Sequence, residues 1–337
     1  VNTTREQLRE AVQSLAAQSI YIGTSSWKYR GWCGALYDPA RYEWRGKFAE
    51  TRFNRDCLAE YAEVFQTVCV DAAYYSFPTT QNLETLANNV PPSFRFAFKV
   101  TDTVTIKKFP NLSRFGVKAG TLNTDFLNTD LFASQFLGPC GSIRNNVGLL
   151  IFEFSRFWPA DYPHGRDFVA DLDRFLSQLP AGWPYAIEIR NRNWLRPEYF
   201  QCLARHRVTH VFNSWEAMPP VSEQMALPGS RTNPEVTAAR FLLKPGRTYE
   251  EAVKTFAPYD RIKEEVPEAR AAARALVDEA KAAGPKRKTF IFVNNRLEGN
   301  ALATILAIVQ DYTDSATAAP LPGSPSVQLS PSDPHRD

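Results

Sequence analysis

Eight short runs rich in β-branched and aromatic residues recur along the chain, and helical patterns separate most of them. They are Tyr21–Ser25, Thr67–Asp71, Arg95–Lys99, Leu149–Glu153, Ala186–Arg190, Val208–Asn213, Arg240–Lys244 and Thr289–Asn294. Helical spacing is expected over Asp56–Gln66, Thr79–Asn88, Asp125–Phe136, Arg166–Leu179, Pro197–Arg205 and Pro267–Ala283. A last helical pattern, Gly299–Tyr312, follows the eighth run; the pattern after the sixth, Glu216–Leu227, is weakened by two prolines. Strand–helix alternation repeated eight times predicts an α/β fold of the closed (β/α)8 TIM type. A doubly wound open sheet is the alternative, but it would gather polar strand ends at one switch point, and here they are spread over every strand.

The expected organisation is one barrel domain over 20–312, preceded by an N-terminal helix (1–19) and followed by a disordered tail (313–337). The helix rests on Leu8, Val12 and Leu15 at helical spacing, the tail on its Pro, Ser, Ala and Asp content.

Strand parity then orients the side chains, because the faces toward the helices must be apolar. Phe96 and Phe98 face out, so Arg95, Ala97 and Lys99 face in. Ile187 and Ile189 send Glu188 and Arg190 inward; Phe241 and Leu243 do the same for Arg240, Leu242 and Lys244. Asp71, Glu153 and Asn213 follow, with Ser25 and Asn294 the least constrained. The C-terminal rim, where barrels of this kind carry their sites, thus gathers Asp71, Glu153 and Glu188 against Lys99, Arg190, Arg240 and Lys244. Glu188 and Arg240 lie one layer down and suit a structural ion-pair network; Lys99, Lys244, Asp71 and Glu153 sit at the rim and suit a site.

Two further signals point to the same end. Lys244-Pro245-Gly246-Arg247 and the run Asn294-Asn295-Arg296 to Asn300 follow the last two strands, where barrels often hold phosphate at a helix N-terminus. The competing reading makes Asn300 a helix cap and leaves Arg296 solvated. Aromatics crowd the loops: Trp27 and Trp32, Tyr74 and Tyr75, Phe157 and Trp158, Trp194 and Trp215. They form either stacking walls for a ring-bearing ligand or a second core under long loops.

Composition removes several chemistries. Only four histidines occur, and His210, the one in a strand, faces the helices, which argues against a Ser-His-Asp triad or a histidine-built zinc site. Five cysteines with no C-x-x-C spacing argue against a disulfide scaffold and a cysteine zinc site, and suit a reducing, cytoplasmic setting. A net charge of +3 argues against nucleic acid, and no apolar stretch is long enough to span a membrane. No cofactor and no metal are expected, and nothing specifies an oligomeric state.

These residues resemble the YecE-like family, domain of unknown function 72. The resemblance is carried by Gly23-Thr24-Ser25-Ser26-Trp27 through Trp32 and Tyr37, Phe65-Gln66-Thr67-Val68 through Asp71 and Tyr75, and Phe94-Arg95-Phe96 through Lys99. Ala186-Ile187-Glu188-Ile189-Arg190 with Trp194, and Phe292-Val293-Asn294-Asn295 with Gly299-Asn300-Ala301, complete it. It implies a TIM-type barrel in a bacterial cytosolic protein and brings no reaction. Family members usually carry Asn at position 71, Gln at 153 and His at 191, where this chain has Asp71, Glu153 and Asn191.

The preferred functional expectation is an enzyme of hydrolase or lyase type acting on a small anionic substrate, such as a phosphorylated or acidic sugar. Glu153, Asp71, Lys99 and Glu188 are its candidate catalytic residues. Trp27, Tyr75, Arg190, Trp194, Asn213, Lys244, Asn294, Asn295 and Asn300 are its candidate binding residues. The alternatives are a non-catalytic barrel that holds a metabolite or nucleic-acid end, and a metal-dependent phosphodiesterase using carboxylate-bound Mg²⁺.

Overall fold

The computed structural model describes residues 3–312. The expected 313–337 tail lies outside them. Eight parallel strands form the barrel: β1 (Ile20–Thr24), β2 (Thr67–Val70), β3 (Arg95–Lys99), β4 (Val147–Phe154), β5 (Tyr185–Ile189), β6 (Thr209–Ser214), β7 (Val236–Phe241) and β8 (Lys288–Val293). The sheet closes in the order β1-β8-β7-β6-β5-β4-β3-β2, so the open-sheet alternative is set aside.

The main helices are α1 (Thr3–Ala17), α2 (Glu50–Ala62), α3 (Thr80–Asn88), α4 (Gly165–Gln178), α5 (Pro197–Arg205), α6 (Tyr249–Phe256), α7 (Pro267–Ala283) and α8 (Ala301–Val309). α1 buries Leu8, Ala11, Val12 and Leu15, the stripe its spacing predicts. Pro197 and Pro267 start α5 and α7 where their missing N–H groups cost nothing, and Gly284 ends α7 at φ 79°.

The barrel interior is a packed core. Cys69, Ala97, Leu149, Ile151, Ala186, Val211, Ala238, Phe290 and Phe292 fill it, with Tyr21 stacked on Phe290. These residues share strand parity with Asp71, Lys99, Glu153, Glu188, Arg190, Asn213 and Arg240. The expected phase is therefore the one observed. The seam between β1 and β2 is thin: only Thr24 and Val68 pair across it. Gly23 permits that closeness, since a Cβ there would lie 2.2 Å from the Thr67 carbonyl oxygen.

Several boundaries differ from expectation. The seventh strand runs Val236–Phe241, starting four residues and ending three residues earlier than Arg240–Lys244. Its start is Val236-Thr237-Ala238-Ala239, where small alanines hide the β signal. Lys244 thus falls past the strand end. The second helix begins at Glu50, not Asp56, and stops at Ala62. In place of a helix over Asp125–Phe136, Asn128 caps a turn at Thr129–Phe132 that continues as a π-type turn over Ala133–Leu137. The weak pattern after the sixth strand shortens to Val221–Ala226, starting after its prolines. Among the described residues, no helix is long and apolar enough to cross a membrane.

Candidate functional site

At the C-terminal end of the barrel, six inward side chains form one charged network. Its centre is a single oxygen of Glu153, Oε2. Arg240 Nη1 lies 2.8 Å from it, Lys99 Nζ 3.0 Å and Arg190 Nη2 3.3 Å. Glu188 is the next position around the wall, paired with Glu153 in the β4–β5 register. Two like charges side by side repel. Arg240 Nη1 at 2.7 Å and Arg190 Nη2 at 2.5 Å from the Glu188 carboxylate offset that repulsion. Arg190 Nη1 also donates to Asn213 Oδ1 at 3.1 Å, and its guanidinium stacks 4.2 Å over Trp215.

Three carboxylates and three cations sum to zero. Glu188 is fully buried, while Lys99, Arg190 and Arg240 are each less than a tenth exposed. Burial alone would raise the Glu153 carboxyl, but Lys99, Arg190 and Arg240 outweigh it and hold the group well below the usual carboxylate range. Burial likewise pulls the Lys99 ammonium down, and Glu153 and Asp71 more than restore it, so it stays protonated. That charge state does not suit a Schiff-base lysine. Lys99 also lies 4.0 Å over the Tyr74 ring.

Asp71 is the outermost member, with a third of its side chain exposed. Its Oδ1 is buried and has no hydrogen-bond partner. Lys99 and Arg240 both stand 3.7 Å from it, beyond hydrogen-bond reach.

Lys244 does not join this cluster. Its side chain is about half exposed and donates to Glu264 Oε1 at 2.8 Å, a residue that also accepts from Arg247. The cause is the early end of β7, which puts Lys244 in the loop after it. The three asparagines of the eighth loop are engaged in local structure. Asn294 Oδ1 accepts from Arg296 N, and Asn300 Oδ1 caps α8 through Ala303 N. Asn295 Oδ1 accepts from Ala301 N and from the Trp32 indole.

The aromatics divide. Trp27 is buried, and Trp194 packs against both Phe157 and Phe168 at 5.5 and 5.2 Å, in a three-ring cluster whose phenylalanines also touch at 5.1 Å. Tyr75 is 63% exposed at the mouth, with Arg114 over its ring.

A pocket of about 260 Å³ opens beside the network, between the loops after β4 and β5. Arg156, Arg190 and Arg192 supply its charge and Phe157, Trp158 and Trp194 its aromatic walls; no carboxylate lines it. Arg156 and Arg192 escaped the sequence reading because parity places only strand residues. Their adjacency to Phe157-Trp158 and to Asn193-Trp194 was the available signal. A larger cavity, about 830 Å³, lies at the opposite end of the barrel. Its Arg95 and Arg144 are spent on backbone carbonyls and its Arg207 on Glu235.

A family model described as "Protein of unknown function DUF72" matches residues 21–328. The chain belongs to the DUF72 family. No curated protein matches it. A DUF72 family protein from Enterococcus faecalis V583 is 18% identical, covering 88% of this chain and 98% of its own, with a TM-score of 0.58. One from Thermotoga maritima MSB8 is 19% identical, covering 88% of this chain and 99% of its own, at 0.55. At such identities the likeness carries the DUF72 fold and nothing finer.

Proposed function

We propose that the C-terminal mouth is the active site of a cytoplasmic enzyme, of hydrolase or lyase type, acting on a small anionic substrate. Arg190 carries this reading. It belongs both to the carboxylate-free pocket of arginines and aromatic rings and to the network around Glu153. A phosphorylated or acidic sugar fits the pocket's chemistry, its anion against Arg156, Arg190 and Arg192 and its ring against Trp158. Five unpaired thiols suit a reducing compartment.

Within the site the carboxylates divide the work. Glu153 is held ionised by three cations, which makes it a positioning group and a poor proton donor at neutral pH. Asp71 is the proton-transfer residue: it is reachable from solvent, and its buried Oδ1 lacks a partner. Lys99 and Arg240, 3.7 Å from that oxygen, stabilise charge that develops beside it. Each carboxylate has cations beside it, so a hard divalent ion would have to compete with fixed charges for its ligands.

The test begins with the small molecules that copurify with the protein, identified by mass spectrometry, and a thermal-shift panel of sugar phosphates and uronic acids. A hit should be turned over by the wild type. Asp71→Asn should lower kcat at least about a hundredfold with little change in affinity, whereas Arg192→Ala should weaken binding. Binding that Asp71→Asn leaves intact, without any turnover in the wild type, would favour a non-catalytic barrel. Turnover that requires Mg²⁺ or Mn²⁺ would favour metal-dependent phosphodiester chemistry. If no anion shifts the melting temperature, the anionic-substrate reading fails.

A further inference from the structure

A second cluster of chemistry-bearing side chains lies on the outer helical layer, remote from the mouth. Cys202 and His206 stand four residues apart at the C-terminal end of α5 and so share one helix face. Asp173 on α4 meets them. Its Oδ1 is 2.8 Å from His206 Nε2 and 3.7 Å from Cys202 Sγ. The three donor atoms all lie within 4.8 Å of one another, and among the described residues this is the one group of its kind.

The order of these groups decides between two readings. A thiol nucleophile needs the imidazole between the sulfur and the acid. Here the carboxylate is in the middle, so the imidazole does not stand between thiol and acid. The distances instead approach those of a metal's coordination shell. Tetrahedral zinc, with bonds of about 2.0–2.3 Å, separates a nitrogen from an oxygen donor by about 3.3 Å and a sulfur from an oxygen donor by about 3.6 Å. The two edges that meet at Asp173 Oδ1, 2.8 and 3.7 Å, lie within about half an ångström of those values, and the sulfur–nitrogen edge is no longer than 4.8 Å.

We propose that Asp173, Cys202 and His206 form a binding site for a borderline-soft divalent cation of the zinc class, with water in the fourth position. Mixed nitrogen, sulfur and oxygen donors select such an ion over Mg²⁺ or Ca²⁺. Binding forms the Sγ–metal and Nε2–metal bonds as the thiol proton passes to water and the imidazole shifts to the tautomer with its proton on Nδ1. Asp173 is 38% and His206 18% exposed at the side chain, which gives the ion a route in. Arg205 Nη1 also lies 2.9 Å from Asp173 Oδ1, but its side chain is 64% exposed and free to swing into solvent. The bound ion staples α4 to α5.

Titration of the full chain with Co²⁺ tests this. One equivalent should bind, giving a thiolate-to-cobalt charge-transfer band and the intense visible bands of four-coordinate cobalt, both bleached by Zn²⁺. Cys202→Ser should abolish the charge-transfer band. His206→Gln and Asp173→Asn should abolish stoichiometric binding while retaining the wild-type circular dichroism spectrum. Zn²⁺ should raise the Tm of the wild type and leave that of His206→Gln unchanged. Arg205→Gln should tighten Co²⁺ binding by about two- to fivefold, the range an exposed ion pair is worth. No charge-transfer band in the wild type, or one that persists in Cys202→Ser, overturns the proposal.

Discussion

Arg240 crosses the barrel interior to reach Glu153 and Glu188, both less than 3 Å away. Arg240→Met keeps much of the side chain's bulk and removes the charge between them. Breaking a buried pair from one side leaves charge uncompensated, so the variant should lose about 3–5 kcal/mol in denaturant unfolding. A loss under about 1 kcal/mol would mean that the carboxylates relax or take up protons without strain. His210 gives the residue scale a pH signature. It is buried on the helix side of β6, as parity predicts, with Nδ1 3.1 Å from the Tyr199 hydroxyl. Burial pushes its pKa down to about 3, with Arg231 adding to the effect. Below about pH 6.5 the unfolded imidazole takes a proton that the folded one refuses. Stability is therefore full above that pH and falls as pH drops toward 3, by up to about 1.4 kcal/mol per unit. Glu153 adds to the loss in more acidic solution, since the stability from its depressed carboxyl is full above the unfolded value and is lost as pH falls from there toward the folded one. His210→Gln should flatten the urea midpoint between about pH 6.5 and 5; an unchanged slope would assign it to another group.

At the scale of elements, legibility followed the strength of local signals. β3 and α7 carry theirs openly: alternating phenylalanines in one, a proline and a glycine bracketing an alanine-rich helix in the other. β7 does not, because its first half contains alanines whose burial is set by neighbouring strands. That one displacement carried Lys244 into the site on paper and out of it in space. α6 has no counterpart among the helical patterns expected from the sequence, although Thr248 and Glu251 form a capping box that marks its start. The network itself was legible because parity needs only the sequence. Who pairs with whom was not, since Arg240 meets Glu153 across 87 residues of chain. The asparagines of the eighth loop had two readings, and their hydrogen bonds serve the local fold. The β1–β2 seam offers a sharp test at this scale. Gly23→Ala must push backbone away from the Thr67 carbonyl at the thinnest junction of the barrel. A loss of at least about 3 kcal/mol, or failure to accumulate as soluble protein, is expected. Near-wild-type stability would show that the seam can open.

For the molecule as a whole, the interior plug of Phe290, Phe292, Leu149 and Ile151 makes the barrel a solid support and leaves no room for a ligand in its lumen. The mouth then combines two kinds of charge. The buried set is self-neutralising, while Arg156 and Arg192 in the pocket wall face solvent. Mobile ions screen exposed charges over about 8–10 Å and barely reach buried ones. Added salt should therefore raise the KM for an anionic substrate several-fold while leaving kcat nearly constant, and Arg192→Ala should lose most of that sensitivity. The neutral cluster thus acts as its own counterion cloud: on the proposed function, the centre carries a fixed electrolyte, and the ionic strength of its surroundings would govern how often a ligand arrives but not what happens to it there.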